Sequence, residues 1–141
     1  MGKYVADKLV KALVCEKKDL NNAKIGILGF TFKEDCPDTR NTKVYDIVKE
    51  LNEFAIDPII VDPQADKEET KKIYNLNLFD YEDLSNLDAL IVTVSHKEFK
   101  KLRKEDLDKL FKPGKNILFD IKGIFDIEEF ERDDSYKYWR L

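Results

Sequence analysis

The stretch GFTFKEDCPDTRNTKV, residues 29–44, holds two lysines, an arginine, three acids, a cysteine and a proline. It lies between the apolar run at residues 25–30 and a segment whose apolar spacing becomes helical at Val44. A connection from a strand to a helix normally needs only a few residues. The length and charge of this connection therefore need an explanation other than the turn itself.

Basic side chains follow three of the apolar runs. Lys33 and Arg40 follow the first run, His96 follows DALIVTVS, and Lys122 closes KNILFDIKG. If these runs are parallel strands, their carboxyl ends meet at one edge of a sheet, where ligands of such sheets bind. A cluster of cations at that edge, in a chain of net charge −4, predicts an anionic ligand such as a phosphate or a nucleotide.

Apolar runs of strand length alternate with segments of helical spacing along the chain. We predict strands at residues 25–30, 58–63, 88–95 and 115–123, and a shorter one at 76–79. We predict helices at residues 1–17, from Val44 onward, and at 64–75, 81–87 and 102–111. This alternation predicts an α/β fold, a three-layer Rossmann-like open and mainly parallel sheet with an N-terminal helix ahead of the first strand.

Two glycines in the first strand suggest a dinucleotide site as an alternative. Gly26 and Gly29 are followed by Asp62 at the end of the second strand, where an acid would suit a ribose hydroxyl. The dinucleotide fingerprint, however, places G-x-G-x-x-G in the turn itself, and here Phe32 occupies the turn. A bulky ring would keep a pyrophosphate from the helix, so we expect these glycines to serve close packing instead.

Composition excludes several classes of protein. The chain has 141 residues, of which 43% are hydrophobic and 38% charged, enough for one domain with a core. The 25 basic residues do not exceed the 29 acids, which argues against nucleic-acid binding. No apolar run reaches the roughly 18 residues that span a bilayer, and a cytoplasmic location is expected. The cysteines, Cys15 and Cys36, and the single His96 show no metal-binding spacing.

The run GFTFKEDCPDTRNTKVYDIVKEL resembles the C-terminal, UDP-binding domain of the UDP-glucose/GDP-mannose dehydrogenase family, especially bacterial members that act on UDP-N-acetylhexosamines. Further similarities follow in order, at IIVDPQAD, DALIVTVSHKEF, LFDIKGIF and YWRL. The resemblance spans essentially the whole chain, and the combination of FKEDCPDTRNTKV with DIKG is its specific part. Members of this family are NAD-dependent enzymes that oxidise a nucleotide sugar at C6 to a uronic acid, in polysaccharide biosynthesis.

The resemblance assigns roles to individual residues of this chain. It implies that Phe32, Lys33 and Lys122 contact the UDP-sugar, with lysine standing at position 122 where some members have arginine. It implies that Arg40 reaches the NAD bound by the other half of the enzyme. It also implies a pocket shaped by Glu34, Asp35, Asp38 and Thr39. No residue of this chain is expected to be catalytic, because the family's catalytic cysteine lies in the other half.

The resemblance also implies an organisation. Residues 1–20 correspond to the helix that connects the two halves of the enzyme, and residues 21–141 to the UDP-binding domain. The partner would be an N-terminal dehydrogenase domain with its own glycine fingerprint, and the chain alone is expected to be inactive. The apolar face of helix 1–17 either packs on its own domain or forms the seam of a homodimer.

Other interpretations of these residues stay open at this stage. Arg40 could simply pair with a neighbouring acid of its loop, and Asp120 could accept loop amides. His96 could start a helix or bond a loop, and Cys36 has no histidine near it in sequence that would activate it. For the whole chain, the alternative is a stand-alone flavodoxin-like or receiver-like binding module, although the first strand ends in Gly-Phe-Thr-Phe rather than in acids or a phosphate loop.

Overall fold

The computed structural model describes residues 2–141 and contains one sheet of five parallel strands. Apolar, largely buried residues form the strands, as expected where helices cover both faces. The strands are β1 (Ile25–Leu28), β2 (Ile59–Val61), β3 (Ala89–Val92), β4 (Asn116–Asp120) and β5 (Tyr136–Arg140). Their order in the sheet is β2-β1-β3-β4-β5. All neighbouring pairs are parallel, so the predicted α/β fold is confirmed.

Six α-helices flank the sheet. They are α1 (Gly2–Cys15), α2 (Val44–Glu53), α3 (Lys67–Tyr74), α4 (Lys97–Lys100), α5 (Lys104–Asp108) and α6 (Ile127–Glu131). Short 3-10 turns lie at Leu20–Asn22 and Tyr81–Asp83. No helix of the described residues is long and apolar enough to cross a membrane.

The core has two parts, one on each face of the sheet. On one face, α1 and α2 cover the strand side chains of Ile27 and Ile91. On the other face, α4, α5 and α6 bury Leu90 and Leu118. Alternate residues of one strand thus enter opposite cores, which produces the three-layer arrangement.

The structure differs from the sequence-based prediction in several elements. The segment 76–79 is not a strand, because it contributes only an isolated bridge between Phe79 and Val61. The predicted helix 81–87 is reduced to the 3-10 turn at Tyr81–Asp83. Strand β5 and the short helices α4 and α6 were not predicted. Strand β5 mixes charged and aromatic residues, and α4 and α6 are too short for a helical period to stand out in the sequence.

Helix α1 packs on its own domain. Val5, Leu9 and Leu13 are fully buried in the core shared with α2 and β4. The apolar face of the helix is therefore covered by residues of the same chain. Tyr4 and Val14 remain exposed. The division into a connecting helix, residues 1–20, and a binding domain, residues 21–141, stays a prediction about a longer protein.

Candidate functional site

A cleft of about 470 Å³ opens beyond the carboxyl ends of β1, β3 and β4, and we call it the edge cleft. It lies where the chain leaves β1 and β3 in opposite directions across the sheet, the usual ligand position in this architecture. The lining residues are Gly2, Thr31, Phe32, Lys33, Glu34, Thr42, Lys43, Val44, Asp46, Ile47, Thr93, Val94, Ser95, Ile121 and Lys122. The sequence-predicted residues Phe32, Lys33, Glu34 and Lys122 therefore meet in one cavity.

Three lysines give the edge cleft an excess of positive charge. Lys33, Lys43 and Lys122 are exposed, and none of them forms a salt bridge with any residue from 2 to 141. The two acids of the lining have partners. Glu34 accepts from the Ser95 hydroxyl at 2.9 Å and lies 3.5 Å from Lys100. The ammonium groups thus remain available for an anionic ligand.

The second acid of the lining is Asp46, in the first turn of α2. Its carboxylate lies 3.8 Å from the ammonium of Lys49, one turn along the same helix. Both side chains of this pair are largely exposed, so the pair is weak. Lys49 does not line the edge cleft, so the carboxylate of Asp46 is paired with a cation outside the cleft.

Phe32 is the exposed aromatic ring of the edge cleft. It is 55% accessible, although apolar side chains of its size are usually buried. An exposed ring beside ammonium groups suits a nucleobase, which can stack on an aromatic face. The edge cleft therefore combines the two features that a nucleotide requires, a stacking surface and cations.

A buried histidine holds the 29–43 loop, the connection between β1 and α2. His96 is fully buried, and its Nδ1 accepts the backbone N–H of Asp35 at 2.9 Å. The ring proton must therefore lie on Nε2, which is 3.0 Å from Oδ2 of Asp62 and 3.1 Å from the Thr31 hydroxyl. His96 is a loop-bonding residue at the start of α4 and has no free nitrogen for a ligand.

Asp62 is the buried acceptor at the centre of this network. One carboxylate oxygen accepts the N–H groups of Phe30 and Thr31, at 2.6 and 3.0 Å. The other accepts those of Gln64 and Ala65, at 2.8 and 3.1 Å. Burial raises the pKa of Asp62, but the hydrogen bonds from His96 and Phe30 outweigh it and hold the pKa below its ordinary value.

The saturation of Asp62 argues against the dinucleotide alternative. Asp62 is buried, and both oxygens of its carboxylate accept backbone N–H groups, so it cannot hold a ribose hydroxyl. Gly29 is needed for packing. Its φ is +108°, and a Cβ there would lie 2.6 Å from Cβ of Val94. A Cβ on Gly26 would lie 3.1 Å from three leucine side chains, as expected for a close-packed strand.

Other predicted residues of the loop lie outside the edge cleft. Thr39 is buried, and its N–H and hydroxyl donate to Glu69 at 3.0 and 2.7 Å. The hydroxyl of Tyr74 donates to the carbonyl of Thr39 at 2.6 Å. Asp35 accepts the N–H of Lys97 at 2.9 Å. These contacts tie the loop to α3 and α4, and the predicted role of Asp35 and Thr39 in shaping a pocket stays a prediction.

Arg40 is exposed and paired within its own loop. Its guanidinium donates to both carboxylate oxygens of Asp38, at 3.0 and 3.2 Å. The hydrogen bond from Arg40 lowers the pKa of Asp38, and the bond to Asp38 raises the pKa of Arg40. The pairing left open from the sequence is therefore present, and Arg40 does not line the edge cleft.

Asp120 organises the turn that carries Lys122. Its two oxygens accept the N–H groups of Ile124 and Phe125, both at 3.0 Å, and the hydroxyl of Tyr138 donates to it at 2.6 Å. As the sequence suggested, Asp120 accepts loop amides. It sets the position from which Lys122 projects at the end of β4.

Sequence reasoning placed Ser95 at the sheet edge, because it follows the third predicted strand, but gave it no role. It did not single out Lys43 at all. Lys43 gave no such signal, because its position depends on how the loop returns to α2. Within the described part of the chain, no group of three or more potential metal ligands comes together.

Known proteins resemble this chain in sequence and in fold. Residues 26–127 match the sequence model of the UDP-glucose/GDP-mannose dehydrogenase family, UDP binding domain. The chain is 38% identical over 141 residues to protein CapL of Staphylococcus aureus. It is 39% identical over 129 residues to a UDP-N-acetyl-D-glucosamine 6-dehydrogenase of Salmonella typhi. The two alignments cover 100% and 92% of this chain. They cover only 32% and 30% of the length of the two relatives, so the chain spans about a third of each.

A solved structure shows the same fold. The NDP-N-acetyl-D-galactosaminuronic acid dehydrogenase of Methanosarcina mazei Go1 aligns with 99% of this chain at a TM-score of 0.83. The sequence identity is 20%, and the alignment covers 28% of that protein. The match extends through α1, which lies ahead of the residues matched by the family.

Proposed function

This chain belongs to the UDP-glucose/GDP-mannose dehydrogenase family, and we propose that its edge cleft binds the uridine diphosphate part of a nucleotide sugar. The observation that carries the proposal is the meeting of Phe32, Lys33 and Lys122 in one cavity at the carboxyl edge of the sheet. These three residues come from two separate loops, and the family resemblance names the same three.

The chemistry of the cleft suits the ligand. The diphosphate of a nucleotide sugar carries about two negative charges, and a hydrogen bond between charged groups contributes roughly 1.5–3 kcal/mol. Lys33 and Lys122 supply positive charges for the diphosphate, and neither has to break a salt bridge within residues 2–141 in order to bind it. The ring of Phe32 offers the uracil a face on which to stack. His96 and Asp62 hold the loop in place before the ligand arrives.

In the longer protein, we propose that this domain serves an NAD-dependent oxidation of the sugar C6 alcohol to a carboxylate. The Salmonella typhi relative is named a UDP-N-acetyl-D-glucosamine 6-dehydrogenase, and a Methanococcus aeolicus relative a UDP-N-acetyl-D-mannosamine dehydrogenase. A UDP-N-acetylhexosamine is therefore the substrate we propose, in polysaccharide biosynthesis. An N-terminal dehydrogenase domain would supply the NAD site and the catalytic cysteine, so the chain alone should be inactive.

We further propose that Arg40 contacts the NAD held by that other domain. Arg40 is exposed and does not line the edge cleft, which suits a contact with a group outside this chain. Asp38 would hold the guanidinium extended until NAD arrives, since the pair is exposed and weak enough to exchange. We also propose that the chain forms a homodimer through helix 1–17. We propose a cytoplasmic location for the longer protein.

An NMR titration of the labelled chain with UDP, ADP and NAD in parallel tests the proposed site. We expect UDP to shift resonances of residues 30–34 and 120–123, which flank the edge cleft, and ADP to shift them less. Shifts near Gly26 and Asp62 with NAD or ADP would favour a dinucleotide site instead. No response to UDP at concentrations well above those of cellular nucleotides would contradict the proposal for this chain.

A further inference from the structure

We propose that Lys43 is a third phosphate-binding residue of the edge cleft and that it makes the cleft selective for a diphosphate over a monophosphate. This inference rests on the proposed function, since it concerns the same cavity. It adds a residue that neither the loop motif nor the resemblance assigned a role.

The position of Lys43 is unfavourable for the free protein. It occupies the N-cap of α2 and makes no side-chain hydrogen bond to the helix, although Ser, Thr, Asp and Asn are the residues that favour this position. A positive charge at a helix N-terminus also opposes the helix dipole. The neighbouring Thr42 supplies a substitute cap by accepting the N–H of Val44 at 3.2 Å. A capping role therefore does not explain why a lysine stands at position 43.

The surroundings of Lys43 lack a compensating anion. Its side chain is exposed and forms no salt bridge within residues 2–141. The two acids of the lining, Glu34 and Asp46, already face Lys100 and Lys49. Lys33 and Lys122 in the same cavity are unpaired as well. Like charges gathered without a counter-ion repel one another, and a bound anion would reverse that repulsion.

The number of cations points to the class of ligand. Two of the three lysines are sufficient for one phosphate group, whereas a diphosphate presents oxygens on both phosphorus atoms. Lys33 and Lys43 lie at opposite ends of the 29–43 loop, the second at the start of α2, and Lys122 lies in the turn after β4. The three lysines thus reach the lining of one cavity from separate positions in the chain. Such a distribution suits an elongated polyanion better than a single phosphate.

The test compares ligands that differ in phosphate number, with the variants Lys43→Gln and Lys109→Gln. Lys109 is an exposed lysine at the end of α5 and does not line the cleft, so its variant controls for the lost charge. We expect Lys43→Gln to weaken UDP binding about tenfold, which corresponds to one charge-assisted hydrogen bond. The variant should weaken UMP binding about twofold at most and leave uridine unchanged, since these ligands lack the second phosphate. Isothermal titration calorimetry provides the dissociation constants.

The outcomes separate this inference from the proposed function. If the parent chain binds UDP and Lys33→Gln weakens it, but Lys43→Gln does not, the inference is wrong and the proposed function stands. Equal losses for UDP and UMP in Lys43→Gln would also overturn it, because they would indicate a general field effect. If the parent chain fails to distinguish UDP from ADP, the proposed function itself is contradicted.

Discussion

At the scale of the residue, the edge cleft is notable because three lysines that form no salt bridge within residues 2–141, Lys33, Lys43 and Lys122, line one cavity. Some other lysines meet carboxylates, as Lys112 meets the buried Asp88 at 2.7 Å. In the edge cleft, Glu34 and Asp46 pair with Lys100 and Lys49, so the lysines of the lining have no carboxylate partner. Removing one of them should therefore affect a ligand and leave the fold intact.

Lys33→Ala and Lys122→Ala should each weaken UDP binding by about tenfold, because each removes one charge-assisted contact with the diphosphate. Both side chains are exposed and unpaired, so the free energy of unfolding should change by no more than about 0.5 kcal/mol. Calorimetric titration with UDP and urea denaturation of the same samples measure the two quantities. If both variants bind UDP as the parent does, these residues do not form the site.

Phe32→Ala should weaken the binding of uridine as well as that of UDP, because it removes the stacking surface and no charge. The loss should amount to about 1–3 kcal/mol of binding free energy. Phe54→Ala is the matched control, since Phe54 is 40% exposed at the end of α2 and does not line the cleft. Equal uridine affinities in the two variants would contradict a stacking role.

At the scale of the element, the turn after β1 depends on close packing against the segment after β3. Gly29→Ala should lower the free energy of unfolding by about 2–4 kcal/mol, because it combines an unfavourable φ with an overlap with Val94. Gly114→Ala separates the two causes. Gly114 also has a positive φ, +122°, but its nearest atom would lie 4.0 Å away. Urea denaturation should show a clearly smaller loss for Gly114→Ala.

The link between β2, α4 and the loop should make stability depend on pH. The pKa of Asp62 is lowered in the folded state, so its contribution is full above the unfolded value near 3.9 and decreases as the pH falls toward the folded value. Asp62→Asn places an amide against four N–H donors. It should cost about 2–4 kcal/mol of unfolding free energy at neutral pH, and less at about pH 3.

Asp126→Asn is the control for this prediction, because Asp126 is an exposed N-cap of α6 whose role asparagine can fill. Its unfolding free energy should stay close to that of the parent at both pH values. A loss for Asp62→Asn that is the same at neutral and acidic pH would show that the charge of Asp62 does not stabilise the fold.

The elements that sequence could predict are those with an uninterrupted physical signal. Strands β1 and β3 are apolar along their whole length, and the convergence of Lys33 and Lys122 follows because parallel strands end at one edge. Strand β5 was missed because YKYWR mixes charged and aromatic residues and is mostly half-buried. Lys43 was missed for a different reason, since only the folded path of the loop brings it to the cavity.

At the scale of the whole molecule, the burial of α1 changes what a dimer can use. Val5, Leu9 and Leu13 are occupied by the domain's own core, so a second copy could contact only the outward side of the helix. That side offers Tyr4 and Val14, which are 50% and 56% exposed. A seam through α1 therefore has a small apolar patch surrounded by lysines.

The proposed homodimer should accordingly be weak in the isolated chain and should strengthen with salt, because lysines such as Lys11 would face their counterparts across the seam and salt screens their repulsion. Val14→Lys should abolish it by removing apolar contact and adding charge. Ile73→Lys, at a site 48% exposed on α3, should leave it unchanged. Sedimentation velocity over a wide range of concentration at low and high salt measures both effects. A parent chain that stays monomeric at the highest concentration and salt would mean that α1 alone does not form a seam, and that any dimer of the longer protein depends on its other domain.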